Sequence, residues 1–127
     1  MPGIHSDITS AFGDTPLVRL NRVAEGTEAT ILAKLEFYNP ASSVKDRLGV
    51  AIVDAAEASG DLTAGGTIVE ATSGNTGMGL AMAAAVKGYK CIFVMPDKMS
   101  TEKAKLLRAF GAEVIITPRM EGHQIVL

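Results

Sequence analysis

Two short segments of this 127-residue chain carry the side chains that could do chemistry. The first, Glu70–Gly79 (EATSGNTGMG), places three glycines among hydroxyl and amide side chains, between an apolar run and an alanine-rich segment. At a junction between a strand and a helix this composition suits an anion, because free N–H groups and the helix dipole converge there. A carboxylate or a phosphate would fit equally well, and a plain glycine-rich helix start is the alternative.

The second segment, Asn39–Arg47 (NPASSVKDR), places Lys45 in the first turn of a predicted helix. A helical projection puts Lys45 on the apolar side, and Asp46 and Arg47 on the charged side. The apolar side comprises Leu48, Ile52, Ala55 and Ala56, and the charged side also includes Asp54 and Glu57. We therefore expect Lys45 to face inward, where desolvation and the helix dipole favour the neutral amine that attacks carbonyls. The alternative is that Lys45 extends past the helix end into solvent.

Other ligand motifs are excluded by spacing. The glycines run G-x-x-G-x-G, the reverse of the dinucleotide fingerprint, and Met99 and Ser100 stand where its acidic residue would lie. No Gly-Lys-Ser/Thr occurs, so a P-loop is excluded. His5 and His123 are far apart and have no partner in a recognisable pattern, so neither a metal site nor a catalytic triad is expected.

Alternating helices and short apolar strands must position these segments. Two early strands are predicted at 17–20 and 30–36, and three nearly continuous apolar strands at 67–71, 91–95 and 113–117. Helices between the last three predict an α/β fold, with an open, mostly parallel sheet and βαβ crossovers. The predicted helix starts are Ser43, with Asp46 completing a capping box, Asn75 and Ser100, and the predicted ends are Gly60, Gly88 and Gly111.

Composition narrows the class of protein. Hydrophobic residues make up 47% of the chain and the formal net charge is −2, which predicts a globular protein without a nucleic-acid partner. The single cysteine, Cys91, lies in an apolar strand and is expected to be buried. No signal peptide is predicted, and the apolar run 77–86 is too short to span a membrane, so we expect a soluble, cytoplasmic protein without membrane partners.

Together the two segments resemble the cysteine synthase and cystathionine β-synthase family of fold-type II pyridoxal-phosphate enzymes. The resemblance runs in order from about Asp7 to Pro118. Its matching residues are Thr15–Leu20, Asn39–Pro40, Ser43–Arg47, Thr72–Gly77, Met95–Pro96 and Leu107–Glu113.

The resemblance implies a set of roles. Lys45 would carry the cofactor, pyridoxal 5′-phosphate, and also remove the substrate α-proton. Asn75 would also hydrogen-bond the cofactor ring. The substrate carboxylate would be held by Thr72, Ser73, Gly74, Asn75 and Thr76. The implied reaction is β-replacement on O-acetylserine or serine by sulfide or homocysteine, giving cysteine or cystathionine. The family is usually homodimeric.

The resemblance also marks what this chain lacks. Family cores are more than twice as long, and their loop for the cofactor phosphate lies further along. We therefore expect residues 1–118 to be the N-terminal portion of such an enzyme, 119–127 to be a divergent tail, and the chain alone to bind the cofactor weakly or not at all. A non-catalytic fragment or interaction module is the alternative function. Both cysteine synthase and cystathionine β-synthase remain open, and residues 83–91 and 95–100 are closer to the latter.

Overall fold

The structure is a computed structural model that describes residues 3–72 and 74–118. Five strands and three helices follow one another along the chain, with two 3₁₀ turns, Ile8–Ala11 and Glu36–Tyr38. The elements are β1 (Leu17–Arg19), β2 (Leu32–Lys34), α1 (Lys45–Ser59), β3 (Thr67–Ala71), α2 (Asn75–Lys87), β4 (Lys90–Pro96), α3 (Thr101–Ala109) and β5 (Glu113–Thr117).

The central element is a parallel sheet with strand order β3-β4-β5. Its register pairs Ile68 with Cys91, and Phe93 with Val114. The predicted α/β fold with parallel strands is confirmed, and the bounds of β3, α2 and β5 coincide with those predicted. Each nearly continuous apolar run became a strand because a parallel sheet buries most of its strands' side chains.

An antiparallel ribbon of β1 and β2 lies outside this sheet, with Val18 opposite Ala33. Strand β2 is shorter than the predicted 30–36, because the chain turns into a 3₁₀ helix at Glu36. That turn directs the Glu36 carboxylate toward α1, where it meets Arg47.

The helix ends agree with the prediction in part. Gly60 and Gly88 end α1 and α2 in the left-handed conformation, with φ of 83° and 80°. The predicted capping box at Ser43 is wrong, because α1 begins two residues later, with Val44 at its N-cap position. The Ser43 hydroxyl accepts a hydrogen bond from the Lys45 N–H (3.1 Å) and not from the Asp46 N–H, and the Asp46 carboxylate accepts from the Ala41 N–H (2.7 Å).

The core lies between one face of the sheet and helices α2 and α3. Cys91, Phe93 and Met95 of β4 are buried there with Leu80 of α2 and Leu107 of α3. The Cys91 thiol is buried as expected, and desolvation raises its pKa to about 11, so it is an unreactive core residue. Within residues 3–72 and 74–118, no helix is long and apolar enough to cross a membrane.

The opposite face of the sheet is apolar and uncovered by the described residues. Right-handed crossovers that proceed in one direction along a sheet place both helices on the same side. Val69 is 64% exposed and Ile115 is 44% exposed on the other side, where Ile92 and Val94 lie between them. Parallel sheets are normally covered on both faces, so this surface is suited to further packing.

Candidate active site

Helices α1 and α2 touch through their backbones at two glycines. A Cβ atom on Gly49 would lie 2.3 Å from the carbonyl carbon of Gly79 and 2.5 Å from the amide nitrogen of Leu80. A Cβ atom on Gly79 would lie 2.9 Å from the carbonyl oxygen of Lys45. The first turn of α1, which carries Lys45, therefore lies against the N-terminal half of α2, one turn beyond Asn75.

This contact decides which side of α1 is buried, and the predicted inward side is wrong. The buried residues of α1 are Asp46, Gly49 and Val53. Lys45 is exposed, as are Leu48 (41%) and Ile52 (42%). Hydrophobicity favours burial of the α1 face that carries Leu48 and Ile52. The backbone of α2 can approach closely only at Gly49, however, because that position has no side chain. Asp46 lies on the same face as Gly49 and is therefore buried with it.

The turn between β3 and α2 is organised by the buried side chain of Thr72. Its hydroxyl oxygen accepts hydrogen bonds from the N–H groups of Gly74 (3.0 Å) and Gly77 (3.1 Å). Gly74 has a φ of 123°, which disfavours residues with a side chain, and a Cβ atom on Gly77 would lie 2.8 Å from Cγ2 of Thr72. Ser73, also predicted to bind the carboxylate, lies outside the described residues.

Two N–H groups of the first helical turn have no partner among the residues that the structure describes and could donate to a ligand. Because Thr72 occupies the N–H of Gly77, the N–H groups of Asn75 and Thr76 are those with no backbone or side-chain partner among the described residues. The Asn75 side chain is exposed and that of Thr76 is half-buried. The turn can therefore offer backbone and side-chain donors to an anion at the positive end of α2.

An open cleft of about 360 Å³ connects the two segments found in the sequence. One wall is the loop Pro40–Ser42, which leads into α1, and Asn75 and Met78 of α2 form another. Helix α3 contributes a third wall through Lys103 and Leu106, together with Phe110 directly after its end. Lys45 does not line this cleft, although it follows the Pro40–Ser42 wall by three residues.

Sequence reasoning did not single out Lys103. Its aliphatic chain packs over the turn, with Cδ 2.5 Å from where a Cβ atom of Gly74 would lie. Lys103, Leu106 and Phe110 are spaced by three and four residues, which is the spacing of one helix face, and this pattern could have indicated that they lie together.

A network of polar side chains around Glu36 connects the start of α1 to the chain that precedes it. The Glu36 carboxylate accepts hydrogen bonds from the Arg47 guanidinium at both oxygens (2.9 and 3.1 Å), from the Thr15 hydroxyl (2.7 Å) and from the Asn39 amide (2.8 Å). Asn39 in turn accepts a hydrogen bond from the Gly13 N–H (3.0 Å). Thr15 and Asn39 are buried. A bidentate Arg–carboxylate pair with further donors is strongly directional, so it holds the chain on both sides of the Pro40–Ser42 loop.

This network makes the free energy of unfolding depend on pH in the acidic range. Hydrogen bonds from Arg47 and Thr15 lower the pKa of Glu36 from 4.5 to about 2. Because the folded-state pKa is depressed, the stabilisation is fully present above about pH 4.5 and is lost as the pH falls toward 2. We expect Glu36→Gln to destabilise the chain at pH 7 and to flatten its acid unfolding between these values, measured by denaturant titration at several pH values. Glu28→Gln, at an exposed position, is the control, and an unchanged acid profile in Glu36→Gln would show that the network contributes nothing.

The fold and site together define a class of protein. A parallel strand ends in a glycine-rich turn with free N–H donors among the described residues, next to a helix that begins with an accessible lysine. The chain matches the pyridoxal-phosphate dependent enzyme family over residues 8–125, and it belongs to that family. The matched range passes Pro118, and the boundary predicted there between core and tail stays a prediction.

Individual relatives and solved structures show to which members of this family the chain is similar. Cystathionine beta-synthase of Oryctolagus cuniculus is 55% identical over 119 residues, which cover 92% of this chain and 22% of that protein. The solved structure of cysteine synthase from Entamoeba histolytica has a TM-score of 0.86 and 47% identity, covering 91% of this chain and 36% of that one. The structure of O-ureido-L-serine synthase has a TM-score of 0.83 and 46% identity, with the same coverage. The chain thus spans about a fifth of the length of the curated relatives it matches, and its fold is part of the fold-type II architecture.

Proposed function

We propose that this chain contributes the lysine and the carboxylate-binding turn of a pyridoxal-phosphate dependent β-replacement enzyme that acts on serine or O-acetylserine. The observation that carries the proposal is the contact of Gly79 with the backbone of Lys45, because it brings the start of α1 beside the start of α2. The 55% identity to cystathionine beta-synthase, against 47% to the cysteine synthase, favours homocysteine as the nucleophile and cystathionine as the product.

The residues present fit the cofactor at its reactive end. Lys45 is exposed at the start of α1, so its amine is accessible to an aldehyde, but it lacks the desolvation that the predicted inward position would have supplied. Asn75 lines the adjoining cleft and can donate a hydrogen bond to the cofactor ring. When bound, pyridoxal phosphate supplies an electron sink for the negative charge that develops at the substrate Cα.

We assign one role to Lys45 and another to the turn 72–76. Lys45 would hold the cofactor and, when displaced by the substrate amine, take the proton from the substrate Cα. The donors of Thr72, Ser73, Asn75 and Thr76 would hold the substrate carboxylate, and Gly74, whose N–H donates to Thr72, would complete the turn around it. Fixing the carboxylate orients the Cα–H bond toward one base, which is the entropic part of the catalysis.

A second candidate is a non-catalytic fragment or interaction module that binds the cofactor weakly or not at all. The uncovered apolar face of the β3-β4-β5 sheet favours it, because such a surface is suited to association with more protein. A homodimer, the usual state of the family, is proposed for the complete enzyme.

Cofactor trapping distinguishes these candidates. We expect that adding pyridoxal phosphate to a complete enzyme that contains this chain, reducing with borohydride and mapping the peptides by mass spectrometry places the label on Lys45. Lys45→Arg keeps the positive charge and should lose the label, whereas Lys103→Arg should retain it. Label spread over many lysines, or concentrated on a lysine other than Lys45, would contradict the assigned role and favour the second candidate.

A further inference from the structure

Asp46 is the one carboxylate among the described residues that is completely buried, with 0% of its surface exposed. Its Oδ2 atom accepts a hydrogen bond from the Ala41 N–H at 2.7 Å. Its Oδ1 atom is buried and has no hydrogen-bond partner in the described part of the chain. The proposed function gives this side chain no role, although it neighbours Lys45.

No cation compensates for this burial. Helix α2, which touches Asp46 through Gly79, carries no ionisable side chain between Asn75 and Val86. The loop 39–44 carries none either. On α1 itself, Lys45 is exposed and Arg47 is engaged with Glu36. Desolvation by burial raises the pKa of Asp46, against the opposing effect of the backbone N–H groups of Ala41 and Ser43, which lower it.

Burial without a counter-charge favours a carboxylic acid over a carboxylate. A bare anionic oxygen in a dry interior is strongly disfavoured. A neutral acid removes that charge and still accepts the hydrogen bond from Ala41 through its carbonyl oxygen. The helix start favours the anion, but this effect is smaller than the desolvation of a completely buried charge.

The position of Asp46 connects it to the cleft. Ala41 is the centre of the Pro40–Ser42 wall, and Ser42 adopts a left-handed conformation with a φ of 58°, which a residue with a side chain rarely adopts. Two hydrogen bonds hold this strained loop, one from the Ser42 N–H to the Asn39 carbonyl (2.7 Å) and the other from the Ala41 N–H to Asp46.

We propose that Asp46 is held as a neutral carboxylic acid and acts as a positioning residue, fixing the Pro40–Ser42 wall of the cleft that Asn75 lines. Its bearing on catalysis rests on the proposed function, but its protonation state and its hold on the loop do not.

The test compares Asp46→Asn with Asp46→Ala in the full chain. The amide of asparagine resembles the neutral acid in shape and keeps an oxygen for Ala41, so Asp46→Asn should leave the folding equilibrium at pH 7 unchanged or shifted toward the folded state. Asp46→Ala leaves the Ala41 N–H buried without an acceptor and should lower the folding equilibrium constant by about 10- to 100-fold. Amide hydrogen exchange at Ala41 should be slow in the unsubstituted chain and in Asp46→Asn, and fast in Asp46→Ala.

Infrared spectroscopy and pH dependence report the proton directly. At pH 7 the C=O stretch of a protonated carboxyl group should be present in the unsubstituted chain and absent in Asp46→Asn, whereas Asp97→Asn, an exposed control, should retain it. Because the folded-state pKa is raised, the stability that Asp46 contributes is present below its ordinary value of 3.8 and declines as the pH rises above it. The folding equilibrium constant of Asp46→Asn should therefore increase relative to the unsubstituted chain as the pH rises from 4.

A tenfold or larger destabilisation by Asp46→Asn at pH 7, or the absence of the protonated carboxyl band, would overturn the proposal. None of these measurements involves the cofactor. A failure to trap pyridoxal phosphate on Lys45 would therefore contradict the proposed function and leave this inference standing.

Discussion

Gly49→Ala is expected to lower the free energy of unfolding by about 3 kcal/mol, the upper end of the usual range for overpacking. In an ordinary helix interior the same change is stabilising by about 0.5–1 kcal/mol, because glycine loses more backbone entropy on folding. At Gly49 the added methyl group would lie 2.3 Å from the backbone of Gly79. Backbone atoms cannot rotate away as a flexible side chain can, so the two helices must separate. Urea unfolding of the two proteins measures the difference.

The control for Gly49→Ala is Ala51→Ser, which adds one atom to an exposed position of the same helix. That change should alter the free energy of unfolding by no more than about 0.5 kcal/mol. A stabilising effect of Gly49→Ala would mean that the backbones of α1 and α2 are not in contact at this point, and the proximity of Lys45 to the turn after β3 would lose its support.

Thr72→Val is expected to have the second large effect, a loss of about 2–6 kcal/mol in the free energy of unfolding. Valine has nearly the shape of threonine, so packing is kept while the hydroxyl oxygen is lost. The N–H groups of Gly74 and Gly77 are both buried and would lose their acceptor, and each unsatisfied group costs about 1–3 kcal/mol.

The hydroxyl group itself can be tested by Thr72→Ser, which retains it and should recover most of the stability. Thr63→Val changes an exposed threonine with no side-chain hydrogen bond among the described residues, and it should have little effect. If Thr72→Ser were as unstable as Thr72→Val, the methyl group rather than the hydroxyl would be the stabilising part of Thr72.

The fold could be predicted where two independent signals coincided. The strand Thr67–Ala71 is both apolar and followed by a glycine-rich turn, and α2 is bounded by that turn and by Gly88. These elements have the predicted bounds because periodicity and punctuation agree. Strand β2 was predicted too long because the polar partner that draws Glu36 out of the strand, Arg47, lies 11 residues further along and in a different element.

The buried side of α1 was predicted wrongly for a physical reason that periodicity does not contain. A hydrophobic pattern predicts the buried face of a helix from its apolar side chains, but the contact of Gly49 with Gly79 forms because neither residue has a side chain. It also joins two residues separated by 30 positions, so neither glycine alone indicates it. The burial of Asp46 follows from the same contact.

The sequence predicted which residues share the turn after β3, but it did not predict their hydrogen bonds and contacts. Thr72, Gly74, Asn75 and Thr76 do lie on one turn at the carboxyl end of a parallel strand, as the junction predicted. The engagement of the Thr72 hydroxyl with the backbone, and the packing of Lys103 over Gly74, depend on distances that spacing alone does not determine. The roles of Lys45 and of this turn toward a cofactor and substrate stay predictions until trapping is carried out.

The contact of Gly49 with Gly79 also makes the position of the Lys45 turn largely independent of the melting temperature of the protein. A gap set by main-chain atoms is insensitive to which rotamers the neighbouring side chains adopt. Substitutions that loosen the interior beneath β4 should therefore lower the melting temperature of the protein well before they displace the lysine-bearing turn from its partner. Variation during evolution could accordingly be extensive in that interior, while these two positions admit only the smallest residue.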